Sequence, residues 1–170
     1  MTIAIFDFDQ TLYKCPLPTD ENRELLKDAL GFTAKGWWSK KESLDLGVFE
    51  IEPNPYVRDE YDRHNNIGNP CFLVTGRLFK IKDSVRKVFK KDGFEFDAEY
   101  YSDRHTLEFK IGVIQELVEA YEPKLIEFYD DRVEHTEAFL QVGRDLKNKG
   151  IELKYHLVNE DYTITELDYL

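Results

Sequence analysis

Cysteine is nearly absent. Cys15 and Cys71 are the only two in 170 residues, and they make neither a disulfide framework nor a metal-ligand spacing. Cys71 opens an apolar run and reads as a small buried side chain. Long apolar runs are missing as well: no stretch approaches the roughly 20 residues of a membrane span. The N-terminus has no basic flank leading into a signal-peptide core. The expectation is therefore a cytoplasmic chain with no membrane association. Positive charge is in deficit, with 23 Lys and Arg against 34 Asp and Glu, a net −11. Broad electrostatic binding to nucleic acid rests on neutralising many phosphates, so it is not expected here. A nucleic-acid end stays open as a substrate, because one terminal phosphate needs only a local positive pocket. No internal repeat or low-complexity segment is present.

What remains is an ordinary globular composition, 42% hydrophobic and 34% charged, long enough for one domain and a small insert. The informative stretch is Ile3-Ala4-Ile5-Phe6-Asp7-Phe8-Asp9-Gln10-Thr11-Leu12. Ile3 to Phe6 has the pattern of a strand buried on both faces, and it ends in two carboxylates. An Asp-rich turn would look the same in isolation. Two more apolar strands end in polar groups: Cys71 to Thr75, followed by Gly76-Arg77, and Leu125 to Tyr129, followed by Asp130-Asp131-Arg132. Lys110 lies early in a helix that Thr106 could cap. In open α/β sheets ligands sit outside the carboxyl ends of the strands, so these groups could surround one site.

Other segments read as follows. A helix over Glu21 to Leu30 stops at Gly31. Ser39 and Glu42 make a capping box for a short helix ending at Gly47. Asn54-Pro55 starts a helix through about His64. Residues 13–69 are thus expected to be a small helical cap inserted after the first strand. The catalytic core would take residues 1–12 and 70–158, and residues 159–170 form a polar, loosely held tail. Strands are expected over Phe94 to Tyr101 and Ile151 to Val158, and within them Phe94-Glu95-Phe96-Asp97 and Ile151-Glu152-Leu153-Lys154-Tyr155 alternate as half-exposed edges would. The three apolar strands should then lie together in the middle. Glu127, inside the third of them, has no evident partner.

The ordered residues resemble the four motifs of the haloacid dehalogenase superfamily: Asp7-Phe8-Asp9-Gln10-Thr11, Thr75, Lys110, and Asp130-Asp131. Gly36-Trp37-Trp38, Leu73 to Arg77, Thr106 with Phe109-Lys110, and Tyr129 to Arg132 with His135 and Phe139 are similar to the phosphatase domain of Swiss Army knife RNA-repair proteins. The chain departs from that pattern at Asp130, where Glu is expected. The implied fold is α/β, a Rossmannoid three-layer sandwich with a central parallel sheet and a small cap.

Crowded carboxylates repel, and an oxygen-ligated cation such as Mg2+ relieves them; with no His or Cys in the cluster, zinc is disfavoured there. The resemblance implies a phosphomonoester hydrolase in which Asp7 attacks phosphorus and forms an aspartyl-phosphate. Asp9 would be the general acid and base, and such a group points to ester hydrolysis. Thr75 and the backbone N–H of Gly76, at a helix N-terminus, would hold the phosphoryl oxygens. Lys110 would neutralise their charge in the transition state. Asp7, the Asp9 carbonyl, Asp130 and Asp131 would hold Mg2+.

Arg77 and Arg132 could bind substrate phosphate or pair with the acids. Taken alone, Thr75 is more often a helix cap than a phosphate ligand, and Lys110 more often a solvated surface lysine. Trp37 and Trp38 suit the cap core, and either could stack on a base. His135 falls on the apolar face of its helix, in a core or supporting place. The substrate would be an RNA or nucleotide end such as a 3′-phosphate, with a deoxynucleotide or small metabolite as the competing class. A receiver-like, non-catalytic protein groups similar residues but places its acidic pair and phospho-acceptor in the reverse order.

Overall fold

Ile3, Ala4, Ile5 and Phe6 are all buried, and they form the central strand β1 (Thr2–Phe6) of a six-stranded sheet. The computed structural model describes residues 1–102 and 105–168. The other strands are β2 (Cys71–Leu78), β3 (Ala98–Ser102), β4 (Leu125–Asp130), β5 (Glu152–Val158) and β6 (Ile164–Leu167), in the order β3-β2-β1-β4-β5-β6. All neighbours run parallel except β5 and β6. The three apolar strands β2, β1 and β4 are adjacent at the centre, as their uninterrupted hydrophobic runs predict.

Side chains alternate across a strand, so β1 feeds two cores. Ala4 and Phe6 join Leu73, Tyr129 and the buried faces of α2 (Pro55–Asn66) and α3 (Lys82–Lys90). Ile3 and Ile5 join Val74, Phe128 and the faces of α4 (Thr106–Tyr121) and α5 (Thr136–Lys147). This is the three-layer sandwich. Burying each such large apolar side chain contributes about 1.5–3 kcal/mol. The chain runs from β1 to β2 and β3 on one side, then returns to place β4 on the other side of β1. That reversal opens a crevice at the carboxyl ends of β1 and β4.

Residues 13–69 are heterogeneous. Helix α1 (Asp20–Leu30) is capped by Thr19 and closed by Gly31 at φ 66°, and α2 is capped by Asn54 with Pro55 in its first turn. Rather than covering the strand ends, α2 puts Val57 and Tyr61 into the core beside Phe6. No Ser39 capping box forms: a 3-10 turn spans Lys41–Leu44, and the Ser43 hydroxyl donates to the Lys40 carbonyl at 2.7 Å.

Three further expectations need correction. Phe94 to Asp97 is not strand; β3 begins at Ala98. The alternation there arises because Phe94 and Phe96 both turn into an aromatic cluster with Tyr61. Strand β5 is no edge, because the tail supplies β6 in antiparallel register and is not loosely held through Leu167; its last two residues lie outside the described ones. Thr106 is the first residue of α4, and His105 stands at the capping position.

Candidate active site

The register pairs Phe6 with Tyr129, and the Asp7 N–H donates to the Tyr129 carbonyl at 3.0 Å. Asp7 and Asp130 therefore leave the sheet side by side. Lys110 reaches between them from α4, with Nζ 2.9 Å from Asp7 Oδ1 and 2.5 Å from Asp130 Oδ2. It is 1% exposed, so it is no surface lysine. The other Asp130 oxygen accepts from the Arg132 backbone N–H at 2.8 Å, which turns the chain sharply after β4. One carboxylate oxygen each from Asp7, Asp130 and Asp131 lie within 4.8 Å of one another.

Three acids against one lysine leave the cluster under-neutralised. Burial pushes Asp7 well above the usual carboxylate range; Lys110 opposes this, and Asp130, Asp131 and Asp9 reinforce it. Burial, then Asp130, holds Asp131 up at about 6. Lys110 is raised, because the attraction of Asp130 and Asp7 outweighs its own desolvation. This oxygen-only donor set with excess negative charge fits a hard divalent cation such as Mg2+, which would restore the ionised forms.

Asp9 lines the same cavity as Asp7 and Asp131, but a different cation holds it. Arg77, 1% exposed, grips it with both arms of its fork: Nε to Oδ2 at 2.8 Å and Nη2 to Oδ1 at 2.7 Å. Nη1 donates to the Trp38 carbonyl at 3.0 Å and to Ser43 Oγ at 2.7 Å. Arg77 thus pairs with the acids instead of offering its charge to a phosphate, because four hydrogen bonds already engage its donors. Thr75 is fully buried, and its Oγ1 accepts from the Arg77 backbone N–H at 3.1 Å.

Gly76 lies within β2, not at a helix N-terminus; the nearby helix start is that of α4. A Cβ at Gly76 would come 3.1 Å from Thr106 Cγ2, so glycine permits that close approach.

The two tryptophans separate. Trp37 is buried against Phe49, with Nε1 donating to the Pro16 carbonyl at 2.8 Å, which removes it from the substrate contacts. Trp38 is 39% exposed and lines one cavity with Asp7, Asp9, Gly76, Lys110, Asp131 and Arg132. Its ring covers the Arg77 guanidinium at 5.0 Å. Arg132 is half-exposed on the rim, 3.4 Å from Glu134. His135 packs edge-on against Phe139, and burial lowers its pKa.

Some site residues escaped the sequence reading. Ser43 reaches Arg77 from the 3-10 turn, and nothing in its neighbourhood announced it. Gln10, at φ 57°, donates to the Cys15 carbonyl at 2.6 Å and accepts from the Tyr162 hydroxyl at 2.9 Å. The tail therefore braces the loop that carries Asp9.

The fold is similar to that of a hydrolase of the haloacid dehalogenase-like family from Streptococcus pneumoniae, with a TM-score of 0.55 and 14% identity over 92% of this chain and 94% of that one. No curated protein sequence matches. A family profile, HAD domain family 1 in Swiss Army Knife RNA repair proteins, matches residues 64–170. That span carries Thr75, Lys110, Asp130 and Asp131, and the chain belongs to this family of haloacid dehalogenase domains.

Proposed function

We propose that the chain is a Mg2+-dependent phosphomonoester hydrolase acting through an aspartyl-phosphate on Asp7. The observation that carries this reading is Lys110, buried between Asp7 and Asp130 at 2.9 and 2.5 Å. A buried cation between two strand-end acids, beside a third, suits a phosphoryl group that brings more negative charge to the same point. Mg2+ on Asp7, Asp130, Asp131 and the Asp9 carbonyl would supply charge neutralisation for Asp7 and the phosphoryl oxygens.

Asp7 attacks phosphorus and the ester oxygen departs, taking a proton from Asp9. Asp9 then accepts a proton from water, which attacks the phosphoryl-Asp7 and releases phosphate. Both steps require Asp9 to turn from Arg77, so Arg77 and the Trp38–Ser43 stretch that holds it set where Asp9 waits. Thr75 and the Gly76 N–H orient the phosphoryl oxygens.

For substrate, the occurrence of this domain family in RNA-repair proteins, with Trp38 on the cavity wall, favours an RNA or nucleotide end such as a 3′-phosphate. The net charge of −11 favours a small nucleotide or metabolite instead. Mg2+-dependent phosphate release from a short 3′-phosphorylated RNA and from mixed nucleoside monophosphates separates these, with Asp7→Asn as the blank. Release from neither substrate, or release undiminished in the blank, contradicts the proposal.

A further inference from the structure

Glu127 lies mid-strand in β4, beneath α2 and away from the crevice. Its Oε2 accepts from Arg63 Nη2 at 2.9 Å and the Tyr129 hydroxyl at 3.0 Å, and faces His156 Nε2 at 3.1 Å. Glu60 and His64 stand four apart on α2 and so share a helix face. One ligand atom from each of Glu60, His64 and Glu127 lies within 4.8 Å of the others.

Arg63 Nη2 occupies the middle of this group. It is 2.6 Å from Glu60 Oε2, 2.9 Å from Glu127 Oε2, 3.0 Å from His64 Nε2 and 3.3 Å from the Tyr129 hydroxyl. That nitrogen carries two hydrogens and cannot satisfy four neighbours. Tyr129 likewise has one hydrogen for two carboxylates, Glu60 at 2.9 Å and Glu127 at 3.0 Å. A metal ion has no such limit.

The Arg63 side chain is 45% exposed and has room to leave. His64 is wholly buried, with Nδ1 3.0 Å from the Asn69 side-chain amide. Arg63 Nη2, 3.0 Å from Nε2, can only donate, so Nε2 is the acceptor nitrogen and its lone pair points at the cluster, as in a ligating histidine; the proton then sits on Nδ1, with the Asn69 amide oxygen rather than its nitrogen beside it. Mixed imidazole and carboxylate ligands select first-row transition ions over Mg2+.

We propose that Glu60, His64 and Glu127, with His156 alongside, form a second metal site for a divalent transition ion such as Zn2+, and that Arg63 fills the site when the ion is absent. Such an ion would fasten α2 to β4 and β5. The proposal does not depend on the phosphatase reading.

The test is a Co2+ titration of the full chain, stripped with chelator and held in excess Mg2+ to occupy the Asp7 cluster. The expected result is a saturable visible ligand-field absorption at one equivalent, displaced by Zn2+ and unmoved by further Mg2+. Glu60→Gln, on the half-exposed rim, should weaken binding roughly tenfold or more, as should His156→Ala. Asp131→Asn should leave it unchanged. Arg63→Ala should tighten binding by a similar factor; binding no tighter overturns the role given to Arg63. No absorption on the wild-type chain, or absorption indifferent to both Glu60→Gln and His156→Ala, overturns the site.

Discussion

Glu127 and Asp130 stand three residues apart on β4, each the anchor of a buried charged cluster, and the two clusters answer burial in opposite ways. Burial raises the pKa of any carboxylate. At Glu127 the hydrogen bonds of His156 and His64 and the charge of Arg63 outweigh it, so the group is held well below the usual carboxylate range. Around Asp130, Lys110 is opposed by three acids, and Asp7 and Asp131 remain raised. Position explains the difference. A mid-strand acid faces the helix packed on the sheet and collects its side chains, whereas a strand-end acid faces an open crevice and depends on what enters. The under-neutralised cluster is the one suited to a phosphoryl group and its cation, whereas the Glu127 cluster already holds a positive charge, the Arg63 guanidinium.

The comparison is sharpened most by removing Asp7. Asp7→Asn should lower phosphate release by on the order of 10^4-fold or more, while the chain keeps its fold by circular dichroism. Removal of Mg2+ with chelator should have a comparable effect, reversed by adding Mg2+ back. Lys110→Met leaves two buried acids, Asp7 and Asp130, and the half-buried Asp131 unopposed; it should destabilise the chain by about 3–5 kcal/mol in urea unfolding and make the remaining stability more dependent on Mg2+.

Glu127 gives the opposite sign of pH dependence from a raised acid. Because its folded pKa is depressed, its contribution to stability is fully present above its unfolded pKa of about 4.3 and is lost as pH falls further. Thermal unfolding should show wild type losing stability below that pH, and Glu127→Gln losing less of it. The smallest effect is expected at Ser43. Ser43→Ala removes the hydrogen bond from Arg77 and the one to the Lys40 carbonyl, which should lower stability by about 1–2 kcal/mol and reduce turnover more than substrate affinity.

Legibility followed the same division. Asp7, Lys110 and Asp130 could be placed together because each sits at a strand end or in the first turns of a helix, where sequence position determines place in the fold; Thr75 stands inside β2, which runs on to Leu78 instead of ending there. The central order of β2, β1 and β4 could be read because strands buried on both faces are continuously apolar. The pairing of Asp9 with Arg77 is one of two open choices in the sequence, decided by the Trp38 carbonyl and by Ser43 of the following 3-10 turn, whose approach no periodicity encodes. The Glu127 cluster drew on α2, β4 and β5 at once, and a single segment carries no sign of such a gathering. Strand β6 was missed because its short polar run resembles a tail until it pairs with β5.

The measurement that bears most directly on the central claim is the capture of the phosphorylated residue. The chain is mixed with excess substrate and Mg2+, quenched in acid and reduced with borohydride, which converts a phosphorylated aspartate to homoserine, and its peptides are then sequenced by mass spectrometry. The account predicts homoserine at position 7 in the wild type and none in Asp7→Asn. Rapid turnover with Asp7 unmodified, or modification at Asp9, Asp130 or Asp131 instead, would contradict it.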